Sequence, residues 1–307
     1  MFQEDLKRYV AENQKLVSMR ETSYPGLFVL KYKKRVFYDG LWNKYLEECR
    51  GTIVDSEFNV ISRPFTKCYN FGIEESAPKI DPTTLVTAYR KVNGFMVALT
   101  WYNKDILVST TGSTDSDYVE MAKEMMRKHM CWEDWQMEVC AANGATLMFE
   151  CCHPNDPHII PEKPGMYFLG YRENIWDSQV HGFGVDVANH WTEYATNSLQ
   201  CYAPESYVLP LAELMEKVKT VNHEGFIFYT KDNVSSKIKS PYYLTSKWVA
   251  RNPNTDKLVD LTKDIKRNID EEYHNLIDAI RLNIVEYTSM SEQDRLRWIR
   301  NYFEYYN

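Results

Sequence analysis

The hydrophobic pattern of this chain changes its period once, close to residue 254. Before that point, short runs rich in β-branched and aromatic residues alternate with turn residues, which is typical of strands. After it, apolar residues recur every three or four positions, which predicts amphipathic helices. We therefore predict an α+β fold with an antiparallel-sheet domain over residues 1–248 and a small all-helical C-terminal domain over residues 249–307. The helical pattern is formed by Leu258, Leu261, Ile265, Ile269, Tyr273, Leu276, Ile277, Ile280 and Ile284.

Single elements can be predicted inside this pattern. Helices are expected over residues 3–17, 118–130 and 210–219, and roughly two more in the C-terminal part. A strand pair is expected at Leu27–Tyr32 and Arg35–Tyr38. Further strands are predicted at Thr83–Tyr89, Phe95–Tyr102, Ile106–Thr110, Thr146–Cys152 and Gly165–Tyr171, and a hairpin at His223–Tyr229 and Ser235–Ser240.

Composition excludes several classes of protein. The chain has 307 residues, of which 44% are hydrophobic, with 22 Tyr and 8 Trp, so it can bury a substantial core and is not disordered. Its net charge of −7 argues against a protein that coats nucleic acid regardless of sequence. The net charge does not exclude an enzyme that handles nucleic acid through a local basic groove. The dense basic run Lys31, Lys33, Lys34 and Arg35 is, by default, a solvated surface.

The cysteines and the apolar runs indicate the compartment. The seven cysteines are irregularly spaced and include no Cys-x-x-Cys pair, which supports neither a disulfide framework nor a structural zinc site. The charged first residues do not form a signal peptide, and no apolar run is long enough to span a bilayer. We expect reduced thiols, no membrane partner and a cytoplasmic location, in the host cytoplasm if the protein is phage-encoded.

Lys91 stands between two predicted strands, in the sequence Lys91-Val92-Asn93-Gly94. Asn-Gly is a strong turn signal because both residues tolerate positive φ, so we predict a hairpin. Apolar strands on both sides would desolvate the lysine, lower its pKa from about 10.4 and expose a nucleophilic amine. The alternative is an ordinary solvated hairpin lysine.

A set of carboxylates and cations shares one chemical logic with this lysine. Glu150 and Glu224 lie in or beside apolar strands, and Lys237 and Lys239 point to the same face of a strand. Such carboxylates can hydrogen-bond a ribose or hold a divalent metal, and the cations can neutralise phosphates. Each also has a structural alternative: a core ion pair, a turn, or lysines that protect an edge strand. Arg50 and Lys67 supply two further cations near strand ends.

The order of these motifs resembles that of the covalent nucleotidyltransferase superfamily, which comprises the ATP-dependent ligases and the mRNA capping enzymes. The closer resemblance, over about residues 30–250, is to the bacteriophage RNA ligase 1-type ATP-dependent RNA ligases. The motifs that carry it are Glu48-Cys49-Arg50-Gly51, Ser62-Arg63-Pro64, Lys67-Cys68-Tyr69-Asn70, Lys91-Val92-Asn93-Gly94, Phe149-Glu150, Arg172-Glu173-Asn174, Glu224-Gly225-Phe226 and Lys237-Ile238-Lys239-Ser240.

This resemblance implies an adenylyltransferase domain and a role for each matching residue. Lys91 would be the nucleophile that carries AMP, with Lys237 and Lys239 on the α-phosphate of ATP. Glu224 would be the carboxylate linked to Mg²⁺ or Mn²⁺. The remaining nucleotide contacts would come from Arg50, Lys67, Asn93, Gly94, Glu150 and either Tyr171 or Phe168, the last two at the adenine.

The implied function is an ATP-dependent RNA ligase that joins 5′-phosphate and 3′-hydroxyl ends through lysyl-AMP and an adenylylated RNA end, in RNA (tRNA) repair, as a monomer. DNA ligases and capping enzymes usually carry a β-barrel after the last lysine motif, whereas here the segment after Lys239 has a helical period. The alternatives are such a nucleotidyltransferase, or a catalytically impaired nucleotide- or RNA-binding module of the same fold.

Two positions depart from the family pattern. Asn93 stands where the family usually has Asp, and this favours the impaired module. Ser109-Thr110-Thr111 stands where the phage relatives tend to carry a lysine, which would alter contacts with the triphosphate.

Overall fold

The structure is a computed structural model that describes residues 2–74, 76–176, 192–254, 256–260, 265–266, 269 and 271–306. The helices are α1 (Phe2–Glu12), α2 (Lys34–Tyr38), α3 (Lys44–Glu48), α4 (Asp117–His129), α5 (Trp132–Ala141), α6 (Leu211–Lys217), α7 (Pro241–Arg251), α8 (Asp256–Val259), α9 (His274–Leu282), α10 (Ile284–Ser289) and α11 (Glu292–Tyr306), with a π-helical turn at Tyr194–Ser198 and 3₁₀ turns at Val218–Thr220 and Glu271–Tyr273. The strands are β1 (Val17–Glu21), β2 (Leu27–Tyr32), β3 (Arg50–Asp55), β4 (Val60–Ser62), β5 (Tyr69–Asn70), β6 (Leu85–Arg90), β7 (Phe95–Tyr102), β8 (Asp105–Thr110), β9 (Ala145–Cys152), β10 (Gly165–Glu173), β11 (Ser206–Pro210), β12 (Gly225–Thr230) and β13 (Ser235–Lys239).

The described strands form three sheets. The first has the order β1-β2-β3-β4, the second β10-β9-β7-β8 and the third β11-β6-β12-β13-β5. All neighbouring strands are antiparallel except the short pair β13 and β5. The predicted α+β class with antiparallel sheets is therefore confirmed.

The second sheet has two different faces because side chains alternate along each strand. On β9, Phe149 points into a core that α4 and α5 cover, where it packs against Trp135. Both side chains are fully buried, and burial of each contributes about 1.5–3 kcal/mol. Glu150, the next residue, points to the opposite face, which lines a cavity between the second and third sheets.

The predicted hairpin around Lys91 is wrong. β6 and β7 match the predicted strands, but β6 pairs with β11 and β12, whereas β7 pairs with β8 and β9. The segment 91–94 is therefore a crossover from the third sheet to the second. Neither Asn93 nor Gly94 has positive φ. Gly94 is needed for space, because a Cβ there would collide with the carbonyl of Cys151.

The predicted strand at Arg35–Tyr38 is also wrong. Residues Lys34–Tyr38 form the helix α2, and β2 pairs instead with β1. The first helix is shorter than the predicted range 3–17. α1 ends at Glu12, and β1 begins at Val17. β2 pairs with β1 on one side and with β3 on the other, so neither of its edges is open to a strand at Arg35–Tyr38, and this pairing overrides local propensity.

The C-terminal part is helical as predicted, but with five helices from residue 241 onward in the described residues. α7 begins at Pro241 because the Ser240 hydroxyl accepts a hydrogen bond from the backbone N–H of Tyr243 (3.1 Å). Its residues pack with α9 and α11, and Ile159 and Ile160 join the same core. α7 runs across the boundary predicted at 248/249, which stays a prediction. No described helix is long and apolar enough to cross a membrane.

Candidate active site

Lys91 lies at the inner end of β6, where the second and third sheets face each other. Its backbone N–H donates to the carbonyl of Gly225 (2.8 Å), which fixes the start of the crossover. The Lys91 Nζ lies 2.9 Å from Glu224 Oε2, and 21% of the side chain is exposed. The lysine is thus paired but reachable from the cavity.

The cavity at Lys91 has an apolar wall and a charged end. Tyr89 and Tyr229 from the third sheet, and Met96 and Leu169 from the second, contribute much of the apolar surface. The charged groups on it are Arg50, Arg90, Lys91, Glu150 and Lys237. A concave site with apolar walls and a few convergent charges suits a nucleotide, whose base is flat and whose phosphates are anionic.

Glu224 accepts hydrogen bonds from several donors at this end. Its Oε2 accepts from Lys91 Nζ and from Asn93 Nδ2 (2.5 Å), and its Oε1 lies 3.3 Å from Lys239 Nζ. The carboxylate is 2% exposed. Burial raises its pKa, but Lys91 and Lys239 lower it by more, so it is held ionised. Gly225, at φ 123°, lets the chain turn here without a Cβ striking the Ile238 carbonyl.

The predicted lowering of the Lys91 pKa is wrong. Burial does lower it, but the carboxylates of Glu224 and Glu150 raise it by more, so the net pKa lies above that of an ordinary lysine. Sequence reasoning considered desolvation and had no means of placing Glu224 against the amine. The lysine is therefore held as an ammonium.

Glu150 and Asn93 hold the second half of the crossover. Glu150 Oε1 accepts the backbone N–H of Gly94 (3.1 Å), and burial raises the pKa of this carboxyl. The Asn93 side chain donates to Glu224 and accepts the N–H of Ile160 (3.1 Å), so both ends of its amide are used inside the protein. Asn93 thus positions Glu224, whereas sequence analysis assigned it to the nucleotide.

Lys237 and Arg50 are the cations of the cavity that have no carboxylate partner in the described part of the chain. Burial, together with Lys67, Arg50 and Lys239, lowers the pKa of Lys237 to about 8 against the opposing effect of Cys68. Arg50 donates to the carbonyl of Thr66 (2.9 Å). These two side chains can therefore bind an anion without breaking an ion pair.

Three predicted nucleotide contacts are placed elsewhere. Lys67 Nζ bonds Glu74 (2.6 Å) and lies over the rings of Trp42 and Tyr69, whereas its neighbours Thr66 and Cys68 line the cavity. Phe168 is buried in the core under α4 and α5, and Tyr171 packs against that same core. A bulge between Phe168 and Gly170 changes the alternation of β10, and it is Leu169 that faces the cavity.

Sequence reasoning missed Glu162. Its carboxylate forms an ion pair with Arg90 (2.8 Å) and accepts a hydrogen bond from the backbone N–H of Asn93 (3.3 Å). Glu162 therefore ties the crossover to the end of β6. Glu162 lies in a loop rich in proline, and no periodic pattern marks it.

The motif residues Glu48, Arg63 and Arg172 form a buried ion network and do not line the cavity. Glu48 accepts four hydrogen bonds: from Arg63 Nη2 (2.9 Å) and Nε (3.2 Å), and from Arg172 Nη2 (2.7 Å) and Nη1 (2.8 Å). All three residues are at most 7% exposed. Arg63 also bonds the carbonyls of Ile175 and Trp176. The network joins the end of α3 and the residue after β4 to Arg172 on β10, which is a structural role.

Comparison with known proteins gives consistent matches. A family model described as RNA ligase matches residues 48–243. The RNA ligase of Rhodothermus phage RM378 is 24% identical over 299 residues, which cover 76% of this chain and 67% of that protein.

Two solved structures have a similar fold. An archaeal ATP-dependent RNA ligase matches with a TM-score of 0.53 at 15% identity. The match covers 97% of this chain and 74% of that protein's chain. A proposed ATP-dependent DNA ligase of Aquifex aeolicus has a TM-score of 0.52 at 13% identity, with 96% of this chain and 76% of its own covered. At these identities the likeness concerns the fold alone.

Proposed function

This chain belongs to the RNA ligase family, and we propose that it uses ATP to form a covalent AMP adduct on Lys91 and then joins RNA ends. The observation that carries the proposal is the Lys91 amine, 2.9 Å from Glu224 at the charged end of a cavity that also presents Lys237 and Arg50. The apolar wall of that cavity, with Tyr89, would hold the adenine.

In the first step, the Lys91 Nζ loses a proton and attacks the α-phosphorus of ATP. A phosphorus–nitrogen bond forms, the bond from the α-phosphorus to the bridging oxygen breaks, and pyrophosphate leaves. The proton is released to solvent, and Glu224 Oε2, which accepts the hydrogen bond of 2.9 Å from Nζ, positions the amine. Lys237 and Arg50 offset the negative charge on the phosphates.

In the second step, the 5′-phosphate of an RNA attacks the adenylyl phosphorus, and the bond to Lys91 breaks. In the third, the 3′-hydroxyl of the other end attacks the RNA 5′-phosphorus and AMP leaves, so one phosphodiester forms and one proton is released. Lys239, bound to Glu224, and Lys237 are the cations near the transferred phosphate in both steps. We propose that the protein acts on these two ends as a monomer and in repair of broken RNA such as nicked tRNA.

The residues fit a divalent metal that arrives with ATP. Among the described residues, no group of three or more His, Cys, Asp or Glu side chains could hold a metal ion. Mg²⁺, however, commonly binds one or two carboxylates and completes its shell with phosphate oxygens and water. Glu150 is the better candidate ligand, because Glu224 already bonds Lys91 and Asn93. A bound Mg²⁺ or Mn²⁺ would neutralise charge on the phosphates.

The test is incubation with α-labelled ATP and Mg²⁺, followed by a denaturing gel, for wild type, Lys91→Ala and the control Lys231→Ala. Lys231 is an exposed lysine in the turn between β12 and β13. We expect label on wild type and on Lys231→Ala, none on Lys91→Ala, and none on wild type when EDTA is added. An unlabelled wild-type protein, purified free of AMP, would refute the mechanism and favour an impaired binding module.

A second experiment identifies the substrate. RNA and DNA strands of the same sequence, each with a 5′-phosphate and a 3′-hydroxyl, are offered to the labelled enzyme. We expect transfer of AMP and sealing with RNA only. Equal sealing of DNA would contradict the RNA preference, and gel filtration during turnover tests the monomer.

A further inference from the structure

Three cations from three strands of the first sheet extend the charged end of the cavity. Lys31 on β2 stands opposite Arg50 on β3, and Arg20 on β1 follows at the outer edge, opposite Val29. Lys31 belongs to the basic run that sequence analysis assigned to a solvated surface. It is instead half-buried, whereas Lys33 and Lys34 are exposed.

Lys31 and Arg20 meet at the loop that ends β8. Arg20 Nη2 donates to the carbonyl of Gly112 (2.9 Å). A Cβ at Gly112 would lie 2.7 Å from Lys31 Nζ and 3.5 Å from Arg20 Nη2, so both cations pack directly on this glycine. The preceding residue, Thr111, lines the nucleotide cavity. The two side chains are therefore one residue away from its wall.

Arg20, Lys31, Arg50 and Lys237 form a row of cations that leads out of the cavity past Thr111. In the described ranges, Arg20, Lys31, Arg50 and Lys237 form no ion pair with a carboxylate. The other cations near the cavity do have partners, such as Glu224, Glu162 and Glu74. Burial and the neighbouring Arg20 lower the pKa of Lys31. A half-buried cation such as Lys31, with the exposed Arg20 beside it, is stabilised by a multiply charged anion.

We propose that Lys31 and Arg20 bind the β- and γ-phosphates of ATP and hold the pyrophosphate as it leaves. The inference rests on the proposed adenylylation of Lys91. The row begins inside the cavity at Lys237 and Arg50, where the α-phosphate would lie, and continues past Thr111 to Lys31 and Arg20, so its charge and its direction out of the cavity suit a polyphosphate chain. An RNA backbone would also satisfy these cations, and the experiment separates the two sources of phosphate.

The experiment uses Lys31→Ala, Arg20→Ala, the double variant, and Lys34→Ala as a control from the same basic run. Self-adenylylation is measured against ATP concentration, and sealing is measured separately with RNA that is already adenylylated and has no triphosphate. Loss of a charge-assisted hydrogen bond to phosphate weakens binding by at least about tenfold, so we expect the KM for ATP to rise at least tenfold in each single variant. Sealing of adenylylated RNA should stay within twofold of wild type, as should both activities of Lys34→Ala.

The reverse reaction gives an independent readout. Pyrophosphate releases ATP from labelled enzyme, and the double variant should need at least tenfold more pyrophosphate for half the maximal rate. Lys31→Arg retains the charge and should recover most of the affinity, which a purely structural role would not predict.

Different results overturn the proposal in distinguishable ways. A normal KM for ATP with impaired sealing of adenylylated RNA would assign the row to the RNA backbone. Normal values in both assays would leave these cations without a role in phosphate binding. If wild type takes up no label at all, the adenylylation mechanism itself fails, and this proposal fails with it.

Discussion

Replacing Glu48 by glutamine tests whether its motif is structural. The substitution preserves the volume of the side chain but removes the charge that two buried guanidinium groups share, those of Arg63 and Arg172. It also places the N–H₂ group of the amide against the guanidinium N–H groups, and two donors cannot form a hydrogen bond with each other. Removal of one partner from a buried ion pair costs about 3–5 kcal/mol, and with two cations affected we expect about 4–5 kcal/mol. With an m-value of about 3 kcal/mol/M in urea, the unfolding midpoint should fall by about 1.5 M.

The assay is urea unfolding followed by tryptophan fluorescence, with Glu57→Gln as the matched control. Glu57 pairs with Lys7 on the surface, where its side chain is 72% exposed, so the control should lose less than about 1 kcal/mol. The folded Glu48→Gln protein should still label at Lys91, because Glu48 does not line the cavity. If the two variants unfold at the same urea concentration, the structural interpretation of this network is wrong.

The pH dependence gives a second check on the same variant. Burial raises the pKa of Glu48, but Arg172 and Arg63 lower it by more, so the folded pKa lies below its usual value of about 4.3. The stabilisation is therefore complete above the unfolded pKa and is lost as pH falls through the folded one. The difference between wild type and Glu48→Gln should be constant near neutral pH and shrink in acid. A constant difference down to pH 2 would contradict this.

Three further predictions concern the crossover. The second-order rate constant of adenylylation should rise about tenfold per pH unit from pH 6 to 8. The raised pKa of Lys91 keeps the amine protonated over this range, and only the neutral amine attacks. A plateau near neutral pH would contradict this. Asn93→Asp should lower the unfolding free energy by about 1–3 kcal/mol in urea melts, because it removes a donor to Glu224 and adds a like charge; equal stability to wild type would count against it. Gly94→Ala should slow labelling of Lys91 at least tenfold and lower the free energy of unfolding by about 1–3 kcal/mol, because the new Cβ would collide with the Cys151 carbonyl. Normal labelling would show that the structure relaxes around this contact.

Much of the fold could be predicted because strand and helix patterns are local. Phe95–Tyr102 and Ile106–Thr110 are strands as predicted, and the helix predicted over 118–130 is α4. Which strand pairs with which is not local. The Asn-Gly pair gave a correct break between β6 and β7, but the two strands join different sheets, and only long-range contacts determine this.

The site could be predicted in its residue types better than in its geometry. Lys91, Glu224 and Lys239 meet as the order of the motifs implies. The sign of the Lys91 pKa shift could not be predicted, because it depends on the distance of 2.9 Å to a residue 133 positions away. Likewise, the bulge in β10 that turns Leu169 rather than Tyr171 toward the cavity has no signature in the sequence.

The two-sided amide of Asn93 connects the site at Lys91 to the core of the C-terminal helices. Its donor holds Glu224 beside the nucleophile, and its acceptor holds the N–H of Ile160, which packs in the core of the C-terminal helices. A carboxylate could keep only the second bond, because it has no N–H to donate. A displacement of Ile160 and a change at Glu224 therefore act on one shared residue. For any ligand whose binding moved Ile160, thermodynamic reciprocity would require it and the ligand at Glu224 to change each other's affinity by the same factor.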